Sequence, residues 1–82
     1  MKKYLLFTIH NCPFCDQAKE ALSKEDCVVV DLSNSLSIRA QIKNAFDWKT
    51  FPIILERKDS SFNLVGGYTD LKEKLEADER ED

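Results

Sequence analysis

Cys12-Pro13-Phe14-Cys15 is the stretch of this 82-residue chain whose residue types and spacing can do chemistry. Two thiols with two residues between them can close as a disulfide, exchange with another disulfide, or hold a soft metal ion. Exchange needs a thiolate, and a free cysteine at neutral pH is mostly protonated. The surrounding residues offer a remedy. Proline is favoured at the first position of a helix, where its missing N–H would have had no partner. Helix formers run from Phe14 to Ser23, with Phe14, Ala18, Ala21 and Leu22 at three- and four-residue spacing. Cys12 is thus expected at a helix start, where unpaired amides and the helix dipole favour an anion. Cys15 falls one turn inside, on the same face. The asymmetry makes Cys12 the attacking sulfur and Cys15 the resolving one. Lys19, one turn beyond Cys15, is either a helper of the thiolate or a solvated surface lysine. His10 is read as an exposed loop histidine.

The elements that must position this pair follow from the pattern on either side. Residues 3–9 are nearly all apolar with aromatic and β-branched members, as in a strand covered on both faces. Cys27-Val28-Val29-Val30 reads as a second continuous apolar strand, with Cys27 as a buried, inert thiol. A second helix is expected to start near Ser33 or Asn34 as cap, with Ile38, Ile42, Ala45 and Phe46 as its apolar face. Phe51 to Leu55 reads as a third strand, Phe62 to Val65 as a short return strand ended by Gly66-Gly67. Residues 69–79 form a last helix with Leu71 and Leu75 inward, and the acidic tail from Glu76 to Asp82 is expected to fray. The order is β-α-β-α-β-β-α. The first two strands should be parallel with a right-handed crossover, and the last two should form a hairpin.

Composition narrows the class. Apolar residues are 43% of the chain, enough for one core, and the length suits one domain. A net charge of −3 argues against nucleic acid, which needs a basic face. No apolar run approaches the roughly 20 residues of a membrane span. Met1-Lys2-Lys3 before an apolar stretch imitates a signal peptide, but the stretch is too short and no small-residue cleavage site follows. The expectation is therefore a cytoplasmic protein, where structural disulfides are rare. Three cysteines, an odd count, also disfavour a disulfide framework.

Taken together these residues resemble the glutaredoxins, within the thioredoxin-like fold. The resemblance covers nearly the whole chain. It rests on Thr8 four residues before Cys12, on Cys12-Pro13-Phe14-Cys15, on Lys19, on Thr50-Phe51-Pro52, and on Gly66-Gly67-Tyr68-Thr69-Asp70. It implies a single α/β domain over residues 1–82, with a four-stranded mixed sheet flanked by helices. It implies a cis Pro52 beside the dithiol and a glutathione site. There Phe51 offers its backbone to the cysteine part, while Thr69, Asp70 and the backbone at Tyr68 take the γ-glutamyl end, with Lys19 nearby. Thr69 is independently a plausible N-cap, and the first amides of a helix bind a carboxylate well. Without the resemblance, Pro52 would read as an ordinary strand-start proline and Thr69-Asp70 as a plain cap. The implied activity is a monomeric, glutathione-linked reductase of protein disulfides and glutathione mixed disulfides, with ribonucleotide reductase among its recipients. No metal is expected.

The sequence also departs from the family. Many members carry a lysine three residues before the first cysteine, which pairs with the glycyl carboxylate of glutathione; here Ile9 stands there. Lys49 and His10 are the cations considered as replacements. Phe14 and Phe51 stand where tyrosine and valine are common, which makes the rim more apolar. Three other readings stay open on these grounds. The dithiol could be recycled by a thioredoxin reductase. His10, Cys12, Cys15 and Cys27 could hold zinc, or a dimer could bridge an iron–sulfur cluster, although a helix after Cys15 and a strand at Cys27 suit a metal site poorly. The chain could also be a binding adaptor whose dithiol is idle.

Overall fold

The computed structural model describes residues 3–80. Seven elements follow in the expected order: β1 (Lys3–Thr8), α1 (Pro13–Ala21), β2 (Asp26–Asp31), α2 (Leu36–Phe46), β3 (Ile53–Lys58), β4 (Ser61–Gly66) and α3 (Tyr68–Arg80). The four strands make one mixed sheet in the order β2-β1-β3-β4. β1 runs parallel to β2 and antiparallel to β3, and β3 and β4 form the antiparallel hairpin. This is the thioredoxin-like arrangement.

Why β1 and β3 read as unbroken apolar runs is clear from their central position. Alternate side chains point to opposite faces of a sheet, so a strand covered on both faces needs apolar residues throughout. On one face Tyr4, Leu6 and Ile54 pack with Ala18 and Leu22 of the α1 segment and Leu71 of α3. On the other, Phe7, Ile53, Leu55 and Leu32 pack against Ile42 and Phe46 of α2, with Trp48 and Phe51. Truncating any of the fully buried leucines to alanine would cost roughly 2–5 kcal/mol, a large share of a small domain's stability.

The structure corrects several expectations. β2 is an edge strand, so an apolar run there is not a sign of two-sided burial: Val28 and Val29 are nearly half exposed, and Cys27 is only half-buried. Burial still pushes the Cys27 thiol up from its ordinary range, with Asp26 adding to the effect. On α2 only Ile42 and Phe46 pack on the sheet, while Ile38 and Ala45 face outward. Its cap is Ser35, whose side chain makes no capping bond. Ser33 is not available as a cap because its hydroxyl donates to Asp31 and accepts from the His10 amide. β3 starts at Ile53 rather than Phe51. α3 starts at Tyr68 and stays helical to Arg80 instead of fraying from Glu76, as its Lys, Glu, Leu and Ala content favours. Met1 and Lys2, and the last two residues of the expected acidic tail, lie outside the described residues.

One polar cluster is built into the core at the end of the sheet away from the dithiol. The Tyr4 hydroxyl donates to Glu56 Oε2 at 3.3 Å, and Lys74 Nζ lies 3.3 Å from Glu56 Oε1. Tyr4 and Glu56 are both buried. A buried carboxylate without partners would be very costly, and here both oxygens are engaged.

Candidate active site

The local sequence folds the dithiol as its residue types dictate. Cys12 occupies the N-cap of α1 in an extended conformation (φ −123°, ψ 97°), with Pro13 at the first helical position. The Cys15 amide donates to Cys12 Sγ at 3.1 Å, so the sulfur takes the place of a capping oxygen. Asn11, with φ of 55°, provides the left-handed step that brings the chain from β1 into the helix. Cys12 and Cys15 are joined as a disulfide across a Cα–Cα distance of 5.2 Å. Their surroundings differ sharply. Cys15 is 1% exposed, whereas Cys12 is half-buried at the surface.

Cys12 faces the turn before β3. Its Sγ lies 3.6 Å from the carbonyl oxygen of Phe51, and the Phe51–Pro52 peptide bond is cis. In the reduced protein two opposing influences meet at this sulfur. A thiol could donate to the Phe51 carbonyl, which favours the protonated form. The Cys15 amide and the N-terminus of α1 favour the anion.

Beside the dithiol runs a groove of about 380 Å³, lined by Phe14, Phe51, Pro52, Tyr68, Thr69 and Asp70 among others. Phe14 is 56% exposed and stacks on Tyr68, ring centroids 6.2 Å apart. Trp48 forms part of the wall, with its Nε1 enclosed and without a hydrogen-bond acceptor among the described residues. A side chain at Gly67 would stand 3.8 Å from both Trp48 and the Pro52 carbonyl, so this glycine lies flat against the wall. Gly66 has a φ of +123°, a conformation that glycine adopts at little cost.

The start of α3 differs from expectation. Thr69 lies inside the first turn and is not the cap. Asp70 does the capping in reverse, its Oδ2 accepting from the Gly67 amide at 3.0 Å. This is the returning half of a capping box, with a glycine instead of serine at the cap position. The first-turn amides of a helix have no acceptor within the helix, and Tyr68, Thr69 and Asp70, which carry those of α3, line the groove.

The structure thus brings Cys12, Cys15, Phe51, Pro52, Tyr68, Thr69 and Asp70 together. Lys19 stands apart from the groove lining and lies 4.0 Å from Asp16, an i,i+3 pair on exposed helix surface. His10 does not point a charge at Cys12 either. Its Nε2 is 2.9 Å from Asp31 Oδ2, tying the loop before α1 to the end of β2. Bonds from Ser33 and the neighbouring His10 hold the Asp31 carboxyl below its ordinary range. Lys49 is exposed. The cations near the site are two that the sequence reading passed over. Arg39 and Lys43 of α2 hold their charged groups 5.8 Å and 5.5 Å from the centre of the Phe51 ring, within cation–π range. Their four-residue spacing, which places both on one helix face, was the available signal.

A family model described as glutaredoxin matches residues 4–58, about two thirds of the chain. The chain belongs to the glutaredoxin family. Its fold agrees with solved members. The solution structure of the dithiolic glutaredoxin 2-C-Grx1 from Trypanosoma brucei brucei matches with a TM-score of 0.72 and 26% identity, over 93% of this chain and 79% of that one. Glutaredoxin 1 from Francisella tularensis, solved in complex with cacodylate, matches with a TM-score of 0.67 over 94% of this chain and 95% of that one. At 22% identity the latter speaks for the fold alone. No curated protein sequence matches this chain. As a glutaredoxin with a Cys-x-x-Cys disulfide, the protein is a thiol–disulfide oxidoreductase. Among the described residues no helix is long and apolar enough to cross a membrane.

Proposed function

We propose that this glutaredoxin is a glutathione-linked dithiol reductase, acting on protein disulfides and glutathione mixed disulfides in the cytoplasm. The observation that carries the reading is the groove itself: it is lined by Phe51, Pro52 and the N-terminal residues of α3, and the Phe51 carbonyl lies 3.6 Å from the half-buried Cys12 sulfur. Cys12 acts as the attacking thiolate because it is the sulfur that solvent and substrate can reach. Cys15 resolves, being enclosed and close enough to displace the substrate from Cys12. Two electrons pass in balance. Cys12 attacks one substrate sulfur and the other leaves as a thiolate; Cys15 then attacks Cys12 and the second substrate sulfur leaves. One glutathione reopens the Cys12–Cys15 bond by forming a mixed disulfide at Cys12. A second attacks that glutathione sulfur, releasing oxidised glutathione and the dithiol.

In this reading the glutathione cysteine lies along Phe51, and its γ-glutamyl carboxylate meets the free amides of α3 near Tyr68, Thr69 and Asp70. The glycyl carboxylate lies toward Phe51, where Arg39 and Lys43 supply the charge that Ile9 cannot. Ribonucleotide reductase is a candidate recipient, and the protein works as a monomer. The potential expected is about −200 to −230 mV, the glutaredoxin range.

The test is turnover of hydroxyethyl disulfide with glutathione and glutathione reductase. Cys12→Ser should abolish it, and Cys15→Ser should keep it, since removal of glutathione from a mixed disulfide needs only Cys12. Activity surviving without Cys12 would reject the assignment. Activity with thioredoxin reductase but none with glutathione would move the electron source.

A further inference from the structure

A second groove, of about 450 Å³, opens between α3 and β4. Its walls are Asn63, Leu64 and Val65 of β4 and Asp70, Glu73 and Lys74 of α3. Asp70 lines this groove and the one beside the dithiol, so the two adjoin at that residue. β4 ends the sheet, and its outer backbone groups face no neighbouring strand. A polypeptide leaving the dithiol past Asp70 therefore meets a mostly polar groove, with Glu56 and Asn63 beside Val65 on its sheet side, next to the unpaired edge of β4.

The charges along this path are uneven. Glu56, at the base of the groove, is matched by Lys74 and by the Tyr4 hydroxyl. Asp70 is turned toward the Gly67 amide. Glu73 is exposed and forms no ion pair among the described residues. Arg39 and Lys43 stand over the ring of Phe51, which lines the dithiol groove. The cations thus lie by Phe51, near the Cys12 sulfur, and the unpaired carboxylate lies beyond Asp70.

We propose that the α3–β4 groove docks the segment preceding the reacting cysteine of a protein disulfide substrate, with Glu73 favouring lysine or arginine there. The direction rests on the glutathione reading above. Glutathione's γ-glutamyl group precedes its cysteine, so a polypeptide held the same way sends its preceding residues past Asp70. Glu73 is one helical turn beyond Asp70, about 5 Å. An extended chain covers that in about two residues, at roughly 3.3 Å each. The favoured cation thus lies about three residues before the cysteine.

The experiment uses the pre-reduced protein and symmetric disulfides of single-cysteine peptides, with release of peptide thiol followed after acid quench. The electrons come from the Cys12–Cys15 dithiol, which becomes the disulfide as two peptide thiols form. Lysine three residues before the cysteine should raise the second-order rate constant about two- to five-fold over glutamate at that position, the range of one exposed charge pair. The gain should shrink in high salt. Glu73→Lys should invert the ranking and leave reduction of hydroxyethyl disulfide unchanged. Equal rates for the two peptides, a ranking that survives Glu73→Lys, or the same gain from lysine after the cysteine would overturn the proposal. Because no glutathione is present, a wrong assignment of the reductant would show in the coupled assay and not here.

Discussion

Replacing Tyr4 by phenylalanine should weaken the fold at neutral pH and strengthen it, relative to the parent, in alkali. The hydroxyl removed is buried and donates to Glu56 at 3.3 Å. A hydrogen bond to a charged group contributes about 1.5–3 kcal/mol, and this one is long, so a loss of about 1–2 kcal/mol is expected near pH 7. Glu56 keeps Lys74 as partner, which holds the loss to that range. For a domain this size the change corresponds to a drop in Tm of roughly 5–10 °C. Burial, and then the charge of Glu56, push the Tyr4 hydroxyl well above the ordinary phenol range. The folded value is raised, so this contribution is full below the unfolded value near 10 and is lost as pH rises toward the folded one. With slope about 1.4 kcal/mol per pH unit, the parent has lost roughly 1.4 kcal/mol more than the variant by about pH 11. The stability gap should close there and then reverse. Urea unfolding of both proteins between about pH 7 and pH 11, read by far-UV circular dichroism, measures it. Tyr4 and the dithiol end of β1 are separated by four residues, about 13 Å of strand, so turnover should not change. A gap that stays constant across this range, or equal stability at neutral pH, would refute the assigned bond and its effect on the hydroxyl.

Three further outcomes follow from the same geometry. Alanine at both Arg39 and Lys43 should raise the KM for glutathione roughly three- to ten-fold with kcat little changed, and the loss should fade in high salt, as two exposed charge contacts would; steady-state kinetics at two ionic strengths measures this. Alanine at Gly66 should lower stability by about 1–3 kcal/mol, since φ is left-handed and steric strain is added. Its Cβ would meet the Asp70 carboxylate at 2.5 Å, whereas at Gly67 the nearest atoms are 3.8 Å away, and alanine there should be milder in thermal unfolding. Finally, Cys27 should react with iodoacetamide far more slowly than reduced Cys12 at neutral pH, because its thiol is pushed up by burial, and should become reactive on denaturation; mass spectrometry of timed samples distinguishes the two sites.

Much of this protein was legible from local pattern. A proline at N1, helix periodicity after it and cysteines three apart determine a dithiol at a helix start, because capping and dipole act over a single turn. Unbroken apolar runs determined the central strands β1 and β3. The same pattern misled at β2, where three valines sit on an edge, because an apolar run does not say which strand lies outermost. Ser33 could not be excluded as a cap until the fold brought His10 and Asp31 to it, and Thr69 ceded capping to the pair of Gly67 and Asp70. The cationic side of the groove was hidden for the same reason. Arg39 and Lys43 are far from Phe51 along the chain, and only the packing of α2 on the sheet lays them over its ring. The sequence by itself determined which sulfur chemistry is possible and where it sits on its helix, since those depend on neighbours within a turn. Which charges surround that sulfur, and which path leads away from it, were decided by tertiary contacts between segments dozens of residues apart.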